Sequence, residues 1–183
     1  MRSLLFLFLA IALGGTACSF NGKQALLADD FRTENVEIPF LLSRVKIVDR
    51  RTGVSPGALV SFAKENHTVN PQLTDGQKLL IQSEVARYFK GTSRPVIANI
   101  EVLKAEQQFE TNWKGERASV FVQIKVTLID AETQQPTASA TGESSLAYQS
   151  MDASEDFVGK LYEKGLKVCV YNIARSLRTT PAR

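Results

Sequence analysis

Histidine and cysteine are scarce here: one His and two Cys stand among 183 residues. A zinc centre of the usual composition draws on more imidazoles and thiolates than that. A serine triad would have to recruit His67, in a polar loop between Asn66 and Thr68, and no G-x-S-x-G sequence accompanies it. No glycine-rich phosphate loop follows a strand, since Gly14-Gly15 belong to the N-terminal segment. Nothing selects a pair of acids for glycoside chemistry. Asp29-Asp30 precede the first strand, and Glu155-Asp156 open a helix whose dipole they complement. The expectation is therefore no enzyme, no metal and no cofactor. Excess charge is lacking too: the formal net charge is +3, or +2 without Arg2. A nucleic-acid partner calls for a clustered basic face, so none is expected. No apolar run anywhere reaches the roughly 20 residues of a membrane-spanning helix.

What is present begins at the N-terminus. Arg2 precedes an apolar run, Leu4 to Leu13, and small residues then lead to Cys18. A basic start, a hydrophobic stretch of about ten residues and a small-residue cleavage site make a secretory signal peptide over 1–17. The segment Leu13-Gly14-Gly15-Thr16-Ala17-Cys18 resembles the lipobox of bacterial lipoproteins. That resemblance implies that Cys18 becomes the first mature residue and carries lipid, such as palmitate, on its sulfur and amino group. Gly15 stands where the family usually places leucine. The other reading is a cut after Ala17 at the small-x-small site Gly15-Thr16-Ala17, which releases a soluble periplasmic domain.

The second cysteine weighs on that choice. Cys169 falls within Phe157 to Leu177, where Val158, Leu161, Tyr162, Gly165, Cys169 and Ile173 recur at helical spacing. Its thiol belongs to an apolar face, as a small buried hydrophobe, and no charged neighbour there favours a reactive thiolate. A disulfide to Cys18 has no support from the intervening sequence.

Without residues 1–17 the chain keeps 166, enough for one domain. Residues 18–35, mostly polar with an Asn21-Gly22 turn signal, read as a tether, with a short helix over Ala25–Phe31. The domain follows over 36–178, with 179–183 as a tail. Val45 and Ile47 share one face of a first strand, and Arg50-Arg51-Thr52-Gly53 end it. A structureless loop of about twenty residues is unusual inside a domain, so Ala58–Ala63 is read as a short edge strand. Thr74 and Gln77 form a capping box for a helix with Ile81, Val85 and Tyr88/Phe89 as its stripe and Gly91 as its stop. Three strands follow, over Val96–Phe109, Val120–Leu128 and Thr137–Tyr148, with turns over Glu110–Ala118 and Asp130–Pro136. Asp152 and Glu155 suggest a second capping box before the last helix. The order β-α-β-β-β-α predicts an α+β fold, an antiparallel sheet of about four strands with both helices on one face.

Three features suit binding another molecule. Arg50 and Arg51 end the first strand, and strand-end charges also guard sheet edges. Trp113 and Lys114, with Arg117, fall at a hairpin tip, where the indole is either an exposed anchor or folded back over the sheet end. Lys125, with Gln123 and Thr127, lies on the polar sheet face. Val45-Lys46-Ile47-Val48-Asp49-Arg50-Arg51, with Gly53 and Gly57 after it, is similar to the early strand and V-x-D-x-R segment of YajG-like envelope lipoproteins. Val126-Thr127-Leu128-Ile129-Asp130-Ala131-Glu132-Thr133, followed by Ala140-Thr141-Gly142, resembles the strand–turn–strand of periplasmic assembly lipoproteins. There the turn commonly reads D-A-x-T-G, and Gln134 replaces its glycine.

The resemblance implies an accessory protein of a bacterial envelope. It would be lipid-anchored and facing the periplasm, with the outer membrane as its site. Its partners would be the membrane and another envelope protein or polymer. The competing class, a soluble carrier of a small apolar ligand, requires a pocket among Ile81, Val122, Ile124 and Ile173. A hydrolase would require converging carboxylates in a cleft.

Overall fold

A computed structural model describes residues 30–55, 67–92, 94–112, 115–150 and 155–179. The chain divides into two units, Met1–Phe31 and Arg32–Arg183, and every helix and strand described belongs to the second. The signal segment, Cys18, most of the helix expected over Ala25–Phe31, the strand expected over Ala58–Ala63, the side chains of Trp113 and Lys114, and Asp152 lie outside the described residues.

The elements are β1 (Leu41–Asp49), β2 (His67–Val69), α1 (Asp75–Tyr88), β3 (Pro95–Asn112), β4 (Gly115–Asp130), β5 (Pro136–Ser150) and α2 (Glu155–Thr179). The sheet runs β1-β3-β4-β5, with β2 also paired to β3. The expected α+β order stands, with β2 added. One pairing departs from an all-antiparallel sheet: β1 lies parallel to β3. Between them the chain passes through β2 and α1, and strands joined by a helical crossover can lie parallel where a tight hairpin cannot.

Strand alternation sets the core. On β3, Val96, Ala98, Ile100 and Val102 are fully buried, and then the ladder to β4 shifts register between Val102 and Lys104. A bulge adds one residue and reverses parity, so the inward positions become Ala105, Gln107 and Phe109. β4 keeps one phase from Ala118 to Asp130. Asn112 pairs with Gly115, so the hairpin closes over two residues, and much of the turn expected over Glu110–Ala118 is paired strand.

Helix α1 begins with the capping box read from sequence. The Gln77 amide donates to Thr74 Oγ1 at 3.2 Å, and the Thr74 amide donates to Gln77 Oε1 at 3.0 Å. Gly91 has a different duty from the helix stop expected of it. The cap is Phe89, in extended conformation, and a Cβ on Gly91 would lie 2.3 Å from the Pro39 carbonyl carbon. Only a bare backbone fits there.

Helix α2 lies over β4 and β5 and packs against α1. Its buried face holds Leu161, Tyr162, Leu166, Cys169 and Ile173. Full burial of such a side chain contributes about 1.5–3 kcal/mol. The facing row of β5 is small, Ala138, Ala140, Gly142 and Ser144, and this lets the helix come close. A Cβ on Gly142 would stand 2.5 Å from Ile173 Cγ1 and 2.7 Å from the Cys169 carbonyl oxygen.

The segment ahead of β1 is fixed to both helices. Arg32 pairs with Glu84 at 2.8 Å, and Glu34 takes Arg175 at 2.8 Å and Arg178 at 3.0 Å. The Ile38 amide donates to the Tyr88 carbonyl at 2.8 Å, and the Lys90 amide donates to the Ile38 carbonyl at 3.1 Å. Arg32 to Asn35, read from sequence as the end of the tether, are thus bonded to the domain. No helix among the described residues is long and apolar enough to cross a membrane.

Candidate functional site

Adjacent in sequence, Arg50 and Arg51 point to opposite sides of the sheet edge. The Arg50 side chain is 63% exposed and meets Glu101 at 3.1 Å. The Arg51 side chain is 3% exposed. It grips Asp49 through Nε at 2.8 Å and Nη2 at 2.6 Å, and its Nη1 donates to the Ala105 carbonyl at 3.0 Å. The fork suits a carboxylate held by two parallel bonds.

The reason lies in how β3 is bordered. β1 pairs with it as far as Val102, and β2 begins at Gln107. Across the gap, the Arg50 amide reaches the Val102 carbonyl at 3.0 Å and the Arg51 guanidinium reaches Ala105. Arg51 therefore completes the sheet edge at the bulge and does not present its charge to a partner. The bond from Arg51 holds the Asp49 carboxyl below its usual range. Burial pushes Tyr162 up to about 12 against the opposing pull of the Arg51 guanidinium. The Tyr162 hydroxyl and Gln107 Oε1 are buried without a hydrogen bond of ordinary geometry. Sequence reading missed this cluster. Its one visible sign was Asp49 and Arg51 two apart on a strand, hence on one face.

The outer sheet face sets its charges against polar and aromatic neighbours. Lys125, half-buried, stands beside Glu101 on β3 and Thr141 on β5. Gln123 donates to Glu143 at 2.6 Å, and Lys104 lies 5.6 Å from the centre of the Phe121 ring. A shallow trough of about 190 Å³ crosses this face between Gln108, Arg117, Ser119, Phe121, Ser145 and Ala147. Arg50 and Lys125 thus both border Glu101 on the outer face, whereas Arg51 is turned to the other side.

The four positions expected to line an apolar pocket are packed into the core. Ile81, Val122 and Ile124 are fully buried and Ile173 nearly so. A void beside Ile173, lined also by Ile38, Tyr88, Val126 and Leu177, measures about 10 Å³. That is room for one water at most, so the pocket required by a carrier of apolar ligands is not found there. Cys169 is a free, fully buried thiol that donates to the Gly142 carbonyl at 3.2 Å. Burial pushes its pKa up to about 12. Among the described residues no three His, Cys, Asp or Glu side chains come together in a metal-binding group.

The turn after β4 is ordered by Asp130. Its Oδ1 accepts the amides of Thr133 at 2.9 Å and Glu132 at 3.0 Å, and Oδ2 meets Arg94 at 3.0 Å. These bonds, the Thr133 amide foremost, hold its pKa down at about 2. Gln134 takes the left-handed conformation, φ 58°, that glycine supplies in the D-A-x-T-G pattern. The turn thus keeps a glycine-like geometry, with the Gln134 side chain donating to the Ala131 carbonyl at 2.8 Å.

No family model and no curated protein matches this chain. Among solved structures, a minor lipoprotein of Acinetobacter baumannii is similar at 11% identity, over 74% of this chain and 91% of that one, with a TM-score of 0.41. A Xanthomonas campestris protein of the family DUF330 is similar at 17% identity, over 76% and 87%, with a TM-score of 0.40. A candidate lipoprotein of Caulobacter crescentus is similar at 13% identity, over 56% and 77%, with a TM-score of 0.38. Bacterial lipoproteins are thus among the structural neighbours. At such identities and scores the likeness does not say what this chain does.

Proposed function

We propose that this protein is exported and held on a bacterial envelope membrane, facing the periplasm, by lipid on Cys18. Its α+β domain would act by binding another envelope protein and not by catalysis. The observation that carries the reading is the N-terminal sequence: Arg2, the apolar run Leu4 to Leu13, then Gly14-Gly15-Thr16-Ala17 before Cys18. The resemblance to YajG-like and periplasmic assembly lipoproteins supports it, and among the described residues the void beside Ile173 holds one water at most.

Anchoring supplies the mechanism. Each buried methylene of a lipid chain contributes about 0.8 kcal/mol, and more than one chain makes attachment stable. Thirteen residues separate Cys18 from Arg32. Even fully extended they reach roughly 45–50 Å, so the domain is confined near the bilayer and meets partners there at raised effective concentration.

Metabolic labelling with an alkyne palmitate analogue should mark the wild type and not Cys18→Ser. Continued labelling of Cys18→Ser overturns the anchor. Photocrosslinking in whole cells from Arg50 and Lys125 should yield one discrete envelope protein, and only random neighbours would overturn the binding role.

A further inference from the structure

The two long edges of the sheet are guarded very differently. β1 is short and places Arg44 and Lys46 on its outward face. β5 is an edge strand of 15 residues with no lysine or arginine and no proline after Pro136. Its ladder to β4 is unbroken from Ala138 to Ser150. Its one charge, Glu143, is taken by Gln123 on the outer face, and a long edge without lysine, proline or a bulge invites a further strand.

The direction of the backbone groups follows from the bonds at the end of β4. In an antiparallel ladder, alternate residues turn both N–H and C=O to the same side. The Asp130 amide donates to the Gln135 carbonyl and the Ala131 amide to the Pro95 carbonyl, so alternate β4 residues from Asp130 back through Ile124 turn these groups to β5. Gln123 turns the other way, and its partner Glu143 therefore turns outward. The outward Glu143 carbonyl is taken by the Asn172 side-chain amide at 2.9 Å. Without a bulge between them, Ser145, Ala147 and Gln149 must turn their backbone groups the same way. All three are exposed, and no described residue bonds to those groups. Asn172 already acts as an added strand would, by placing an amide N–H on an edge carbonyl. Beyond it the row meets no other described residue.

We infer that the Ser145–Gln149 edge of β5 receives an extended segment of the partner polypeptide, which pairs as an additional strand. A row of alternating N–H and C=O groups at strand spacing is complementary to another peptide backbone. The small residues Ser145 and Ala147, which border the trough on the outer face, leave room for the incoming side chains. This inference rests on the envelope-partner reading above.

The test reads the register of the contact. A photocrosslinking residue is placed singly at Ser145, Ala147 and Gln149 in the full-length chain in whole cells, with Lys125 as a reference on the sheet face. The adducts are mapped by mass spectrometry to single residues. Strand addition predicts that the three edge positions mark one continuous segment, stepping by two residues from each position to the next. It also predicts that Ala147→Pro, which removes only an outward N–H, lowers the adduct from Ser145 at least tenfold without shifting the thermal midpoint. Scattered adducts, a step other than two, adducts to a second copy of this chain, or indifference to Ala147→Pro would each overturn it. If Lys125 still marks a discrete protein while the edge does not, the strand fails and the binding role stands. If neither site marks one, the binding role fails as well.

Discussion

Adding one methyl group to the strand under α2 should reveal how closely helix and sheet approach. The Cβ of Gly142→Ala would stand 2.5 Å from Ile173 Cγ1 and 2.7 Å from the Cys169 carbonyl oxygen. The second contact is helix backbone, which cannot swing aside, so the whole helix must lift. Overpacking of this kind costs about 1–3 kcal/mol. Relief of the glycine entropy penalty returns roughly 0.5–1 kcal/mol, leaving a net loss of roughly 0–2.5 kcal/mol. For a domain of this size each kcal/mol of that loss lowers Tm by about 2–4 °C. Two helical glycines calibrate the result. Gly159→Ala meets nothing within 4 Å and should gain close to the full helix propensity, about 1 kcal/mol. Gly165→Ala meets only Val120 Cγ2 at 3.2 Å and Val122 Cγ2 at 3.4 Å within that distance range of tight contact, so propensity and crowding should nearly cancel. Equilibrium urea unfolding of the three variants, with m unchanged, checks the order Gly159→Ala, Gly165→Ala, Gly142→Ala from most to least stable. Ile173→Ala should rescue Gly142→Ala only in part, because the Cys169 carbonyl remains. A Gly142→Ala protein as stable as Gly159→Ala would refute the reasoning, since the helix would then lie farther from the strand.

The other expectations concern polar positions. Arg51→Ala strands the Asp49 carboxylate and the Ala105 carbonyl and should cost about 1–3 kcal/mol in thermal or urea unfolding. Arg51→Lys, lacking the fork, should recover little of that, while Arg50→Ala should be nearly silent. Asp130 has a depressed folded pKa of about 2, against 3.8 ordinarily. Its stabilisation is complete above the unfolded pKa and disappears as pH falls from about 4 through 2. The Asp130→Asn variant should therefore show a shallower loss of Tm across that window, and an identical profile would count against the assignment. Gln134→Val forces a β-branched residue to φ 58° and should destabilise by about 1 kcal/mol or more. In Gln134→Gly, backbone relief opposes loss of the side-chain bond and added chain entropy, so a change within about 0.5 kcal/mol is expected by differential scanning calorimetry.

Local patterns were the legible part of this chain. Val120 to Leu128 alternate so cleanly that β4 and its buried face follow from period alone, and Thr74 with Gln77 announces the start of α1. Pairing was harder, because nothing in Leu41–Asp49 encodes which strand lies beside it. That depends on the crossover through α1. The bulge was hidden for a related reason. Past Val102 the inward positions are Ala105, Gln107 and Phe109, and a buried glutamine disguises the change of parity. The arginines show the same limit at single-residue scale. Read as a charge pair they look equivalent, yet strand alternation turns Arg51 inward beside Asp49 and leaves Arg50 outside. Sequence also offered no sign of Asn172 on the edge of β5, a contact between residues 29 apart.

The way Arg32 to Phe40 is fastened bears on how the domain carries load. A pull arriving along the chain from residue 31 meets Arg32 on Glu84 of α1 and Glu34 between Arg175 and Arg178 of α2. It then meets the backbone bonds of Ile38 to Tyr88 and Lys90. Tension is thus shared between two helices before it reaches any strand, and no β1 bond is the first to be tested. Force spectroscopy from the N-terminal end should find this clasp giving way ahead of the sheet, with the ion pairs, more screened by salt than the backbone bonds, setting how readily it opens.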